Sequence, residues 1–139
     1  MPWITHYADD GAEVDYSGHT TGAEILEAKR QFFAHRFEAE PMYLLCDLTN
    51  VSHFDVNPTD VDLIIKQDLD AVSSHPALIE TVIAPKPFQF GMARMWQMRV
   101  DAARPTAHVS RTRSEAIAWF RKNGVEIRTT AQREGRQSS

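Results

Sequence analysis

A nearly unbroken apolar run at residues 42–49 is the feature that most constrains the fold. The run has the length of a strand, and a short continuous apolar run bounded by turn signals is typical of a strand buried on both faces. The polar stretch 50–56 predicts a loop after it. Asn57 and Pro58 then predict the N-cap and the first residue of a helix. We therefore place residues 42–49 at the centre of a sheet.

Two short strands and a helix are predicted before this central strand. Residues 3–7 and 12–16 alternate between apolar and polar side chains, and an Asp-Gly step between such runs is typical of a β-hairpin. Residues 17–19 are expected to end the hairpin. Thr21 and Glu24 have the spacing of a capping box, which predicts that a helix begins there.

The rest of the chain alternates between helix and strand patterns. Periodicity predicts helices from residue 58 to about 72, from 88 to 103 and from 114 to 123, with strands at 78–84 and 106–110. Charged side chains of the first of these helices, including Asp68, are expected to face outward. Thr112 and Glu115 predict a capping box, and Gly124 predicts a helix C-terminus.

This order of elements predicts an α/β fold. Strands that are separated by single helices run parallel with right-handed crossovers. We expect a mixed sheet with an N-terminal antiparallel β-hairpin, followed by β-α-β-α-β-α with helices packed on the sheet. Residues 1–127 are predicted to form a single domain, and the polar, aperiodic segment 128–139 a disordered tail.

Composition favours a cytoplasmic protein. No run approaches the roughly 18 apolar residues of a membrane span, and the N-terminus lacks the pattern of a signal peptide. We therefore expect no transmembrane segment. The single cysteine, Cys46, excludes an internal disulfide and suits a reducing compartment.

Four segments together resemble a known family. They are the early hairpin, Asp47-Leu48-Thr49 at the end of the central strand, the segment 90–96 (FGMARMW) and the segment 114–120 (SEAIAWF). In this order they are similar to SpoIIAA-like small bacterial proteins, which are grouped with STAS and SEC14 (CRAL-TRIO) domains. The resemblance covers roughly residues 1–125 and implies a SpoIIAA/STAS-like fold.

The resemblance has two functional implications. STAS-type antagonists carry a phosphorylatable serine just before a helix, whereas this chain has Asp55-Val56-Asn57-Pro58 at that place, without a hydroxyl. Ser52 lies before the turn and Thr59 lies within the predicted helix, so phosphorylation is not expected to act as a switch here. The SEC14 side of the group implies binding of an apolar or lipid-like ligand.

The carboxyl ends of the parallel strands are the expected position of a site, because ligands of open α/β sheets bind there. The side chains expected near this edge are Asp47, Thr49, His53, Asp55, Lys86 and Arg111. An Asp near a His could form an acid–base pair. The favoured alternative is that Asp47 and Thr49 bind loop backbone amides, because no nucleophile with a matching base is evident. No catalytic residue is assigned, and we do not expect an enzyme.

Metal, cofactor and nucleic-acid sites are not expected. The six histidines lie on different elements, and none has a recognised zinc-ligand spacing to another ligand. Cys46 lies in the buried strand, where a small inert thiol is usual. There is no glycine-rich phosphate loop, and the basic C-terminal half lacks a helix-turn-helix or aromatic platform.

The helix that begins near Phe88 is rich in Met and aromatic residues, which suit adaptable contact surfaces. Phe88, Met92, Met95, Trp96 and Arg99 are expected to share one face, with Phe90 and Met98 off it. The alternative is that this stripe is ordinary core packing.

The leading hypothesis is a non-enzymatic binding module for a small apolar or lipid-like ligand. The predicted ligand-binding residues are Asp47, Thr49, His53, Lys86, Phe88, Phe90, Met92, Arg94, Met95 and Trp96. The aromatic and Met side chains would form the wall, and Lys86 or Arg94 would meet an anionic head group. The alternative is a protein-interaction or regulatory STAS-like module that acts as a homodimer through the same helix and the oppositely charged halves of the chain. Residues 1–85 carry a net charge of -11, and residues 86–139 carry +7.

Overall fold

The computed structural model describes residues 3–103 and 106–127. Within these residues the elements are β1 (Trp3–Ala8), β2 (Gly11–Thr21), α1 (Gly22–Ala34), β3 (Tyr43–Asp55), α2 (Pro58–Val72), β4 (Ile79–Ile83), α3 (Pro87–Ala103), β5 (Ala107–Ser110) and α4 (Arg113–Lys122). The five strands form one sheet in the order β1-β2-β3-β4-β5. β1 is antiparallel to β2, and the other pairs are parallel. The predicted α/β fold with a mixed sheet and an N-terminal hairpin is confirmed.

The helices form one layer on each face of the sheet. Each crossover from β2 to β5 moves in the same direction, so right-handed connections place α1, α2 and α3 on one face. Leu44 and Cys46 of β3 belong to the core cluster on that face. Tyr43 and Leu45 point to the other face, where they pack with Phe120 of α4. The start of the central strand is therefore buried on both faces, as its sequence predicts.

The predicted helix ends are formed by specific hydrogen bonds. Thr21 begins α1 with a complete capping box, and Asn57 begins α2 with a second one. At α4 the box is only half formed. The Thr112 hydroxyl accepts from the amide of Glu115, but the Glu115 carboxylate accepts from the amide of Arg111. Gly124 ends α4 with a φ of 82°, a left-handed conformation that favours glycine.

The predicted ends of β2 and β3 are wrong, because both strands continue well past them. β4 ends at Ile83, which lies opposite Asp47, and β5 ends opposite Ile83. Beyond that line β2 and β3 continue as a two-stranded extension, residues 17–21 paired with 50–55. We call this extension the ribbon. It occupies the stretch that the sequence predicts to be a hairpin end and a loop.

Two register shifts explain why alternation does not reveal the ribbon. Asp15 pairs with Asp47 but Ser17 pairs with Asn50, and a second extra residue enters β3 between Val51 and His53. Each shift is a β-bulge, which adds one residue to one strand. Apolar residues therefore recur every third position in β3, and Leu48, Val51 and Phe54 all pack on the face of α1, α2 and α3.

The acidic N-terminal half and the basic C-terminal half meet within this one chain. Arg113 of α4 donates to both carboxylate oxygens of Glu13 in β2, at 2.8 and 2.7 Å. Glu13 is buried, so this bidentate pair is held in a fixed geometry. The predicted tail 128–139 lies outside the described residues.

The ribbon generates a stability prediction. Val51 is 1% exposed, whereas the neighbouring Ser52 is exposed. Val51→Ala should lower the free energy of unfolding by about 2 kcal/mol, because it removes buried methyl groups and leaves a cavity. Ser52→Ala is the matched control and should change it by less than about 0.5 kcal/mol. Urea unfolding of the two variants tests this, and equal effects would mean that residues 50–55 behave as a surface loop.

Candidate ligand-binding site

A groove lies where the ribbon leaves the sheet. Here the edge of β3 has no β4 partner, and the N-terminal turn of α3 lies beside it. The groove has a volume of about 620 Å³ and is lined by residues 52–58 together with Lys86, Phe88, Gln89 and Met92. The amino group of Lys86 donates to the carbonyl of Val51 at 2.9 Å, which satisfies one backbone group of the free strand edge.

An apolar cavity of about 60 Å³ lies deeper, between the sheet and the helices. Its apolar wall is formed by Ile25, Leu48, Phe54, Val56, Val61, Ile64, Val82, Met92, Ala93 and Trp96. Phe54, Val56 and Met92 also line the groove, so the two spaces share a wall. These three side chains therefore separate the cavity from the groove.

The base of the cavity holds a buried charged cluster. The Lys29 amino group donates to Asp68 at 2.7 Å and to Glu80 at 2.8 Å. The indole N–H of Trp96 donates to the same Asp68 oxygen at 2.6 Å. These four residues belong to α1, α2, β4 and α3 and are all buried, so the cluster connects three helices to the sheet.

The cluster contains one cation and two carboxylates, and its protonation follows from that imbalance. Burial raises the pKa of Glu80 to about 7, although Lys29 acts to lower it. Burial alone would lower the pKa of Lys29, but the two carboxylates raise it above its ordinary value. A single proton on Glu80 therefore leaves the cluster with no net charge, which is the least costly state in an apolar interior.

Two further polar groups line the cavity beside the cluster. The thiol of Cys46 donates to Glu80 at 3.6 Å, and burial raises its pKa, so it remains a thiol rather than a reactive thiolate. The hydroxyl of Tyr16 is buried near that thiol and makes no hydrogen bond of good geometry within the described residues. Since an unpaired buried hydroxyl is costly, Tyr16 is a group that a ligand could satisfy.

The sequence does not predict this cluster, and its periodicity places Asp68 on the outward face of the helix. That prediction is wrong, because Asp68 is 5% exposed. The sequence signal that could have indicated the cluster is a charged residue within an otherwise apolar helix face or strand. Lys29 follows Ala28 in α1, Asp68 lies four residues after Ile64 in α2, and Glu80 interrupts the apolar run of β4.

The structure places five of the predicted site residues at the groove or the cavity. His53, Lys86 and Phe88 line the groove, and Trp96 lines the cavity. Met92 lines both. The predicted face of α3 is only partly buried. Met95 and Arg99 are exposed, and the buried positions are Gln89, Met92, Ala93, Trp96 and Val100. The side chain of Gln89 turns inward and accepts from the amide of Lys86 at 3.3 Å.

The other predicted residues lie away from this site. The ring of Phe90 packs against the guanidinium of Arg111, 4.1 Å from the ring centre, and Arg94 donates to Gln97 on the surface. Asp47 accepts from the amide and the hydroxyl of Thr49 at 2.9 and 2.5 Å. This local bonding agrees with the favoured alternative for these two residues.

No family model matches the chain, and no curated protein shows significant similarity to it. The resemblance to SpoIIAA-like proteins therefore stays a prediction. Across residues 3–103 and 106–127, no helix has both the length and the apolar character that crossing a membrane requires.

The charged cluster generates a mutational prediction. Lys29→Met should lower the free energy of unfolding by about 3–5 kcal/mol at pH 7.5, because it leaves two buried carboxylates without a cation. Lys66→Met, on the exposed side of α2, is the matched control and should change it by less than about 0.5 kcal/mol. The measurement is urea unfolding of both variants. A loss for Lys29→Met no larger than that of the control would show that the cluster does not hold the helices on the sheet.

The raised pKa of Glu80 generates a pH prediction. The folded protein binds more protons than the unfolded chain between the ordinary carboxyl value of 4.5 and about 7. The contribution of Glu80 to stability is therefore fully present below pH 4.5 and is lost as the pH rises through about 7. Burial and Glu13 also raise the pKa of Asp15, to about 6, so the wild type must be compared with Glu80→Gln. Between pH 5 and pH 8 the wild type should lose more unfolding free energy than Glu80→Gln, and parallel profiles would contradict this assignment.

Proposed function

We propose that this protein is a non-enzymatic binding module for a small apolar or amphipathic molecule. The observation that carries the proposal is the shared wall of the groove and the cavity, formed by Phe54, Val56 and Met92. A groove of about 620 Å³ has the size of a small-molecule site, and the cavity behind it accepts a short apolar end.

The polar groups suggest how such a molecule is oriented. Lys86 lies in the groove and supplies a positive charge for an anionic head group, whereas Arg94 is engaged at the surface with Gln97. At the inner end, the Tyr16 hydroxyl offers a hydrogen bond to a small polar group. The preferred ligand is therefore amphipathic, with its charged end in the groove.

Adaptability of the wall supports the same function. Met92 is unbranched and lines both spaces, so rotation of its side chain would change how far apart they are. The cavity of about 60 Å³ is small, and a longer apolar chain would enter only as Met92 moves. Phe88 is 58% exposed at the groove and would be covered by a bound ligand.

The test is to fill the cavity without adding a polar group. Ala93 lines the cavity on α3, and Ala93→Leu adds three carbon atoms there. Ala102→Leu makes the same change at an exposed position of α3 and is the matched control. The binding of the apolar fluorescent probe 1-N-phenylnaphthylamine should weaken at least about tenfold in Ala93→Leu, a loss of about 1.4 kcal/mol, and stay unchanged in the control.

Circular dichroism and thermal unfolding separate a blocked cavity from a damaged fold. Native mass spectrometry of the freshly purified protein provides a second readout, since a co-purifying mass that is absent from Ala93→Leu supports the proposal. Equal probe affinity in a folded Ala93→Leu variant would overturn it.

A protein-interaction module is the second candidate. It is supported by the outer side of α3, where Met95 and Met98 are 39% and 64% exposed. Met side chains suit contact surfaces that adapt to a partner. If native mass spectrometry shows a dimer without bound small molecules, and Met98→Gln dissociates that dimer, this candidate replaces the first.

A further inference from the structure

The ribbon brings three metal-ligating side chains together on its exposed face. His19 of β2 lies directly opposite His53 of β3, and Asp55 follows His53 by two residues, so these three side chains share one face. One ligand atom from each lies within 4.8 Å of the others. The three residues come from positions 19, 53 and 55, which explains why no local zinc spacing exists in the sequence.

The second bulge creates this arrangement. Gly18 pairs with Val51, and His19 would face Ser52 if the register continued unchanged. The extra residue in β3 brings His53 opposite His19 instead. At the same place Gly18 adopts a φ of 68°, which a residue with a side chain rarely does. Bulges commonly redirect a side chain at a functional site, and here the redirected pair is two imidazoles.

The distances suit a tetrahedral ion. The Nε2 atom of His19 lies 3.2 Å from an oxygen of Asp55. Ligand bonds of about 2.0 Å place neighbouring ligand atoms of a tetrahedral zinc site about 3.3 Å apart. The rings of His19 and His53 are in edge-on contact, with their centres 4.7 Å apart, and His53 is exposed, so its ring can rotate to complete the set.

Stability does not explain the cluster. The side chains of His19 and Asp55 are 59% and 61% exposed, and an ion pair at such a position contributes little to folding. We propose that His19, His53 and Asp55 bind a divalent transition-metal ion, with Zn²⁺ as the best match to two imidazoles and one carboxylate.

Three protein ligands leave one position of a tetrahedral ion open. His53 and Asp55 also line the groove, so this position is accessible from it. Water or an anionic group of a bound molecule would occupy it, and only this last point depends on the proposed function. The metal site itself is independent of any ligand in the cavity.

Titration of the untagged protein with Zn²⁺ alone, by isothermal titration calorimetry, tests the site. One equivalent should bind, and His19→Ala, His53→Ala and Asp55→Asn should each weaken binding at least about tenfold, since the loss of even an outer-shell partner costs 10–100-fold. Co²⁺ gives a second readout, because its visible absorption on binding should be lost in the same three variants.

His6→Ala is the matched control. His6 also hydrogen-bonds to an aspartate, with its Nε2 atom 3.0 Å from Asp15. Asp15 lies near Glu13 and Asp47, but Arg113 binds both oxygens of Glu13, and no imidazole belongs to that group within the described residues. Its Zn²⁺ affinity should equal that of the wild type. The proposal is overturned if the wild type does not bind Zn²⁺ at micromolar concentration, or if the three variants bind as well as His6→Ala. Either result leaves the cavity-filling experiment unaffected.

Discussion

The ion pairs of Lys29 with Asp68 and Glu80 are the interaction on which the layered structure depends. One buried amino group connects α1, α2 and β4, and Asp68 extends the connection to Trp96 of α3. A buried charge that loses its partners is strongly destabilising, so Lys29 must keep both carboxylates within hydrogen-bond distance. The cluster therefore fixes how the three helices lie on the sheet. Because the cavity lies between these same elements, the cluster also fixes the dimensions of the candidate site.

The fold was predictable from the sequence where a residue type determines the structure of its own segment. The capping residues Thr21 and Asn57 and the apolar run of β3 each gave a correct element. The ribbon could not be predicted in this way, because its bulges change the apolar spacing from two to three. Leu48, Val51 and Phe54 look aperiodic until the register with β2 is known. Strand pairing is a long-range property, and no local pattern contains it.

The site was predicted less well than the fold, for a related reason. Met92 and Trp96 were recognised by composition, but composition does not reveal that Gln89 turns inward while Met95 turns outward. Lys29, Asp68 and Glu80 are charged residues whose burial depends on one another. Each alone is typical of a surface, and only their meeting in space removes the cost of burying them.

The ribbon also forms part of the boundary between the cavity and solvent. Within residues 3–103 and 106–127 it has two strands, and one edge of β3 has no strand partner there. Phe54 forms part of both the cavity and the groove. Segments with few neighbours open locally at a lower free energy than the whole domain. Local opening of residues 50–55 would therefore expose Phe54 and the cavity wall while the sheet and its three helices stay folded.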